Sequence, residues 1–448
     1  MGMGVVIEGF LRQAKLTAKY SNKLAESFTL QAIFITPTEQ IPALGVVGFM
    51  ESADFITARS EHLGLRVRLQ PGVYIDRILP NRDTLTVQLI AHTDSDIKVR
   101  EFVVVPLKDN DPRVASNSAS NSDFGGQDTI SMHEYEFQLL DPGFAKLRNL
   151  QVSDNLVMTN VRDAMILTLD GFSKNVKYEG NQQYRGMYLH EPVDNINTYR
   201  QVMLPHGTRL IDIPSVLQNH EEYGVYSKGL GSFYKQRYWW VYPLFNTTLA
   251  DTHHRPIDIV RVPRDKIPTL DETFYISDNA LTIIATGTST HHDRADIRKQ
   301  NDGVGQRLLV ADAVTGKAGY QYSKGKALTT RQDSLQEYKL SDRKSGDEYI
   351  PLKLTPTNNV CKAMSENALN EGEFVTVEWH NGDVGYLEPG HPVRYQYMTD
   401  DGSVTVRRGV LLGYRSDHVP ITSGATPKLK RTCVLTIFLK RQAKYKAT

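Results

Sequence analysis

Cysteine is almost missing from this chain. Two residues in 448, Cys361 and Cys433, are too few for a disulfide framework, and they suit folding in a reducing cytoplasm. No run approaches the ~20 apolar residues of a membrane-spanning helix. The opening residues, Met1 to Glu8, lack the basic-then-apolar layout of a signal peptide. Position 6 is Val6 rather than Ser or Thr, so the myristoylation pattern also fails. Such a chain is expected to leave its cell only by lysis or as part of a particle. Excess charge is absent too. Lys and Arg number 52 against 51 Asp and Glu, a net charge of +1, so whole-molecule attraction to nucleic acid or anionic lipid is not indicated. What remains is ordinary globular composition, in a chain long enough for about two to four domains.

Complete catalytic motifs are also lacking. His253-His254 follow Asp251, and Thr290-His291-His292-Asp293 lie about forty residues on. Imidazole and carboxylate are zinc ligands, but adjacent histidines on a strand project in opposite directions and neither pair sits in H-E-x-x-H. Ser289 with His291, His292 and Asp293 has the residue types of a hydrolase triad. Triads are assembled from distant segments, and no G-x-S-x-G elbow surrounds Ser289. Gly229-Leu-Gly231 and Gly303-Val-Gly305 are fragments of glycine-rich loops and read as turns. Glu221-Glu222 and Glu371/Glu373 pair acids as glycosidases do, yet such pairs are common on solvated faces. Asn246-Thr-Thr248 matches a glycosylation sequon, which matters only if the chain is secreted. No catalytic, cofactor-binding or metal site is assigned.

What is present is β structure. Val73–Ala91 reads as a hairpin, two β-rich runs joined at Pro80-Asn81-Arg82-Asp83, with Leu85, Val87 and Leu89 alternating with polar residues. Phe28–Ile35 and Glu101–Leu107 are rich in β-branched and aromatic residues and read as strands within 28–50 and 64–107. Residues 109–131 are a polar insert unable to bury a core. His133–Leu140 reads as a strand closed by Asp141-Pro142-Gly143. Asn160 is placed to cap a short helix with Asp163 at its third position. Asp212 is placed to cap a second helix, with Pro214 in its first turn, Val216, Leu217, His220 and Tyr223 on one face, and Gly224 ending it. Residues 290–350 are polar and predict a loop-rich excursion. Strands return at Phe374–Trp379, Val393–Met398, Val404–Val406, Val410–Tyr414 and Cys433–Leu439, with turns at Asn381-Gly382, Pro389-Gly390 and Asp400-Asp401-Gly402. That spacing indicates a small sandwich or barrel.

Two local features carry a choice of readings. Tyr238-Trp239-Trp240-Val241-Tyr242 is core between a helix and a sheet, or an aromatic anchor for a partner. Lys428, Lys430, Arg431, Lys440, Arg441, Lys444 and Lys446 make a basic C-terminal tail, solvated or docked on an acidic partner.

In its order of features the chain resembles the central baseplate hub proteins of contractile-tailed bacteriophages and of related injection machines. The likeness is carried by Ile78–Val87, by Tyr223–Phe245, by Thr288–Asp296, and by the terminal β module with Pro392–Gly402 and Gly409–Gly413. It implies a mainly β protein with α+β insertions: two tail-tube-like β-barrel domains plus peripheral mixed domains. The expected division is 1–110 for the first barrel, 111–131 for a polar loop, 132–250 for a mixed domain that donates strands such as His133–Leu140 to the second barrel, 251–350 for a loop-rich peripheral segment, and 351–448 for the second barrel and basic tail. The resemblance further implies a non-enzymatic virion protein without cofactors. It would be a homotrimer whose pseudo-hexameric ring joins the tail tube protein to a central spike protein, contacts baseplate wedge proteins, and passes DNA through its lumen without specific binding or membrane insertion. Assembly would occur in the bacterial host cytoplasm. No repetitive β-helix precedes Thr448, so the spike is expected to be a separate protein. The rival expectations are another tail-tube or wedge protein, a tail-borne peptidoglycan hydrolase or peptidase using residues such as His291 or Glu222, and a carbohydrate-binding tail module using Trp239 and Trp240.

Overall fold

The computed structural model describes residues 28–92, 97–107, 133–178, 182–220, 222–251, 255–261, 274–276, 280–285, 289–292, 307–312, 317–323, 326–327, 330–332, 361–362, 365, 368, 372–399, 403–421 and 428–440. The segments 109–131, 252–254 and 400–402, with the residues beyond Lys440, lie outside them.

Strands dominate. The N-terminal group is β1 (Thr29–Ile35), β2 (Gln40–Pro42), β3 (Gly45–Asp54), β4 (His62–Leu69), β5 (Thr86–His92), β6 (Ile97–Pro106) and β7 (His133–Leu140). The middle holds β8 (Gln151–Asn160), β9 (Gly186–Leu189), β10 (Thr198–Arg209), β11 (Leu230–Lys235) and β12 (Tyr238–Pro243). Then follow β13 (Ile257–Arg261), β14 (Phe274–Ile276), β15 (Leu281–Ala285) and β16 (Ser289–His292). Next come β17 (Arg307–Asp312), β18 (Lys317–Ser323), β19 (Lys326–Ala327) and β20 (Thr330–Gln332). The last are β21 (Gly372–His380), β22 (Pro392–Met398), β23 (Val404–Pro420) and β24 (Leu429–Lys440).

Alternation decides which faces are buried. In β4, Leu63, Leu65, Val67 and Leu69 point inward while His62 and Arg66 face water. They pack with Phe34, Val87, Phe102 and Phe137 in an N-terminal core. Each such side chain contributes about 1.5–3 kcal/mol by leaving water. A C-terminal core gathers Ile259, Ile283, Val377, Trp379, Tyr395, Leu411 and Ile437. A third core, between the short helices and β10–β12, contains Leu147, Met165, Val202, Leu217 and Trp239.

The first two cores share one mixed sheet of 15 strands, and β23 is its spine. Along one side, Val404–Val410 pair with β22 and Gly413–His418 pair with β3. Along the other side runs β24, which pairs further out with β21. The switch from β22 to β3 falls at a bulge between Leu411 and Gly413. From β3 the path runs through β4, β7, β6 and β5 to β1 and β2. An isolated bridge between Phe28 and Leu429, with N–H···O distances of 3.3 and 2.8 Å, joins the start of β1 to the start of β24. The described ladders form an open, branching sheet, and neither expected barrel is closed by ladders alone.

Several sequence expectations need correction. Val73–Ala91 is not a hairpin. Tyr74–Ile78 is one turn of π-helix and Leu79–Asn81 one of 3-10 helix, leading into β5. Val73, Tyr74 and Ile78 are buried and Ile75 is 47% exposed, a helical spacing that β-propensity concealed. His133–Leu140 pairs with β4 and β6, so it belongs to the N-terminal core rather than the second barrel. Asp212 gives no side-chain cap; its carboxylate accepts from Arg209 Nε at 2.7 Å, and the helix stops at Asn219 rather than at Gly224. Residues 307–332 are not simply loops, since β17–β20 form a four-stranded sheet there. Val404–Val406 and Val410–Tyr414 are one strand, because the Gly409 region continues without a turn. Lys428, Lys430, Arg431 and Lys440 lie at or in β24, so the basic run begins as a strand and not as a tail.

Candidate functional site

Among the described residues, the groups singled out in the sequence are not brought together in one site. His253, His254, Asp293, Gly303, Gly305, Glu221 and Glu371 lie outside the described residues. His291 and His292 sit on β16, opposite Val375 and Phe374. Glu373 forms an ion pair with Arg407, which is buried, so it is tied to structure. Glu222 is exposed, and its backbone N–H donates to His220 Nδ1 at 3.2 Å. Asn246 Oδ1 accepts from Thr248 N and Oγ1 at 3.1 and 2.6 Å, an Asx-turn that uses the sequon locally. Gly231 lies inside β11 rather than in a turn, and a Cβ there would strike the Tyr242 ring. Burial pushes the Cys361 thiol up to about 12 and raises Cys433 further, so neither is a ready nucleophile. Among the described residues no group of three His, Cys, Asp or Glu is placed to hold a metal ion. No helix among them is long and apolar enough to cross a membrane.

The aromatic run forms the β11–β12 hairpin, turned by Gln236 and Arg237 at φ values of 53° and 71°. Its two faces serve two cores. Tyr234, Trp239 and Val241 enter the third core, while Phe233, Tyr242, Leu244 and Phe245 enter the C-terminal one. Trp239 Nε1 donates to Ser173 Oγ at 2.9 Å. Trp240 is half-buried and stacks on Tyr188 at 4.3 Å between centroids.

Where the three cores meet, a cluster of charges that sequence reasoning missed lies beside the apolar packing. Lys235, 4% exposed, ends β11 with its ammonium donating to Val384 O at 3.0 Å, Leu387 O at 2.7 Å and Tyr414 Oη at 2.8 Å, with Glu61 Oε1 at 3.3 Å. Tyr414 Oη donates to Glu61. Beside them Arg100 Nη1 donates to Glu51 Oε1 at 2.6 Å. His418 lies edge-on between Phe28 and Phe49, at centroid distances of 5.3 and 5.1 Å. Its Nε2 is 3.5 Å from Glu51 Oε2, the limit of hydrogen bonding, and neither ring nitrogen has a closer partner among the described residues. A cavity of about 290 Å³ opens between these groups, with Lys98 and Arg431 at its wall.

The electrostatics follow from this crowding. Burial pushes the Glu51 carboxyl up, but the Arg100 charge and the His418 contact outweigh it and hold Glu51 well below the usual carboxylate range. Burial lowers Arg100, and Glu51 and Glu61 more than restore it. Burial and Glu61 push Tyr414 well above its ordinary value, so its hydroxyl stays a donor. The arrangement holds a fixed set of charges in place.

No family model and no curated protein matches this chain. Solved structures align with most of its length. A tail protein from Neisseria meningitidis MC58 is 10% identical over 93% of this chain and 97% of its own, with a TM-score of 0.48. The 43 kDa tail protein of prophage MuSo2 from Shewanella oneidensis is 6% identical over 91% and 98%, with a TM-score of 0.46. A half-lidded PdpA-VgrG complex from Francisella is 10% identical over 97% of this chain and 62% of that one, with a TM-score of 0.41. At these scores the likeness transfers no residue role to this chain.

Proposed function

We propose that this chain is a structural, non-enzymatic virion protein of a phage tail: the baseplate hub that joins the tail tube to the central spike. The observation that carries the reading is the spine. One strand pair, β23–β24, serves two β cores in succession, changing neighbours from β22 and β21 to β3 and the start of β1. Two tube-like domains in one chain are what the sequence resemblance calls for, and a common spine holds them at a set spacing. Three such chains would present six β domains around an axis, a threefold ring matching a sixfold tube. Joining sheet edges between subunits would also remove exposed edges. On this reading each barrel closes on the spine, DNA passes the lumen unbound, the spike and wedge proteins are separate partners, and assembly takes place in the bacterial host.

The carbohydrate-platform rival loses one of its two rings, because Trp239 is 0% exposed. Native mass spectrometry across the micromolar range tests the reading. A trimer of the 50.5 kDa chain is the expected result. A hexamer would point to a tube-like ring, and a monomer at every concentration would defeat the hub reading for the isolated chain.

A further inference from the structure

Segment 55–61 leaves the end of β3 and is fastened to two other bodies before the chain returns as β4. Phe55 is fully buried in the C-terminal core, where its N–H donates to Leu412 O at 2.9 Å and its ring meets Phe233 at 4.8 Å. Arg59 O accepts from Tyr234 N at 2.8 Å on β11, and the Arg59 guanidinium donates to Ser215 Oγ beyond it. Glu61 reaches Lys235 and Tyr414. β11 is in turn tied to the C-terminal loop, through Lys235 to Val384 and Leu387 and through Gln236 Nε2 to Gly385 O at 2.9 Å. All three bodies therefore meet through directional polar bonds at the rim of a cavity, where close packing is interrupted.

We propose that Glu61, Lys235 and Tyr414 form an ionic clasp that sets the relative position of the N-terminal core, the β11–β12 hairpin and the C-terminal core. Releasing it loosens segment 56–61 and the turn at 384–387 about Phe55, Val384 and Leu387, which stay packed in the C-terminal core. The physical ground is cooperativity. A buried ammonium with three oxygen acceptors and a carboxylate is held only as a complete set, since loss of one partner leaves the others desolvated and unmatched. That interdependence would make release of the joint cooperative. The clasp lies within a single chain, so it stands or falls separately from the ring proposed above.

Hydrogen exchange read by mass spectrometry on the full chain tests it. Tyr414→Phe removes the hydroxyl shared by Lys235 and Glu61 without stranding a new charge, and it keeps the ring beside Phe55. We expect exchange in 56–61 and 384–387 to accelerate by about tenfold, with β4 and the β21–β24 ladder unchanged. Lys235→Met should give a larger effect in the same peptides. If that variant fails to fold, Tyr414→Phe decides the matter alone. Acceleration spread evenly over both cores, or no acceleration in either segment, would overturn the clasp.

Discussion

Trp239 has no exposed surface and lies against Tyr234 and Phe144, whereas Trp240 covers Tyr188, itself 51% exposed. The two tryptophans should therefore answer differently to truncation. Trp239→Ala is expected to cost about 3–5 kcal/mol in urea unfolding, as a cavity in a packed core does. Trp240→Ala should cost roughly 1–2 kcal/mol, the loss of a half-buried stacked pair. Equal losses would contradict the two-faced hairpin. Glu51 carries a pH prediction. Its folded carboxyl lies below the ordinary value of 4.5, so its contribution is fully present above that value and fades as pH falls toward the depressed one. Glu51→Gln should flatten the pH dependence of stability below about pH 4.5. Its cost at neutral pH should be only about 1–2 kcal/mol, because Arg100 keeps 47% of its side chain exposed. A slope unchanged by the substitution would count against this role. At this scale, local chemistry was legible in the sequence and distant chemistry was not. Asn160 Oδ1 does accept from Asp163 N, at 2.8 Å, because cap and partner are three residues apart. Lys235 and Tyr414 are 179 residues apart, and no spacing rule joins them.

Among the elements, alternation read most strands correctly, since β1, β5, β7, β21, β22 and β24 each bury one face against a core. It failed at Tyr74–Ile78, where β-prone side chains sit on a helical turn because tertiary packing of Tyr74 on Tyr135, 4.5 Å apart and stacked, overrides propensity. It also divided β23, because Arg407, Arg408 and Gly409 look like a break when read alone. Gly413 is where that strand changes partners, and a Cβ there would press into the backbone oxygen of Ala53 on β3. Gly413→Ala should push β3 away from the spine and destabilise the chain by roughly 1–3 kcal/mol, measured by thermal or denaturant unfolding. A neutral effect would mean that the β3–β23 seam is looser than its register implies.

For the whole molecule, neither core owns its strands outright. Leu429 packs in the N-terminal core and Leu435 in the C-terminal core, on the same strand. Calorimetry should therefore show the two cores melting in one transition, and two well-separated transitions would refute their dependence on a common spine. The spine was beyond sequence reasoning because it joins segments hundreds of residues apart, and periodicity reports a face without naming its partner. It also sets a timetable for biosynthesis. β3 is made early, yet its partner residues Gly413–His418 follow some 360 residues later. For most of translation the nascent chain carries β3 with one edge unpaired, exposed to other nascent chains on the same messenger. Until β23 emerges that edge has no partner from its own chain, so chains truncated before Gly413 should aggregate more readily than the full chain.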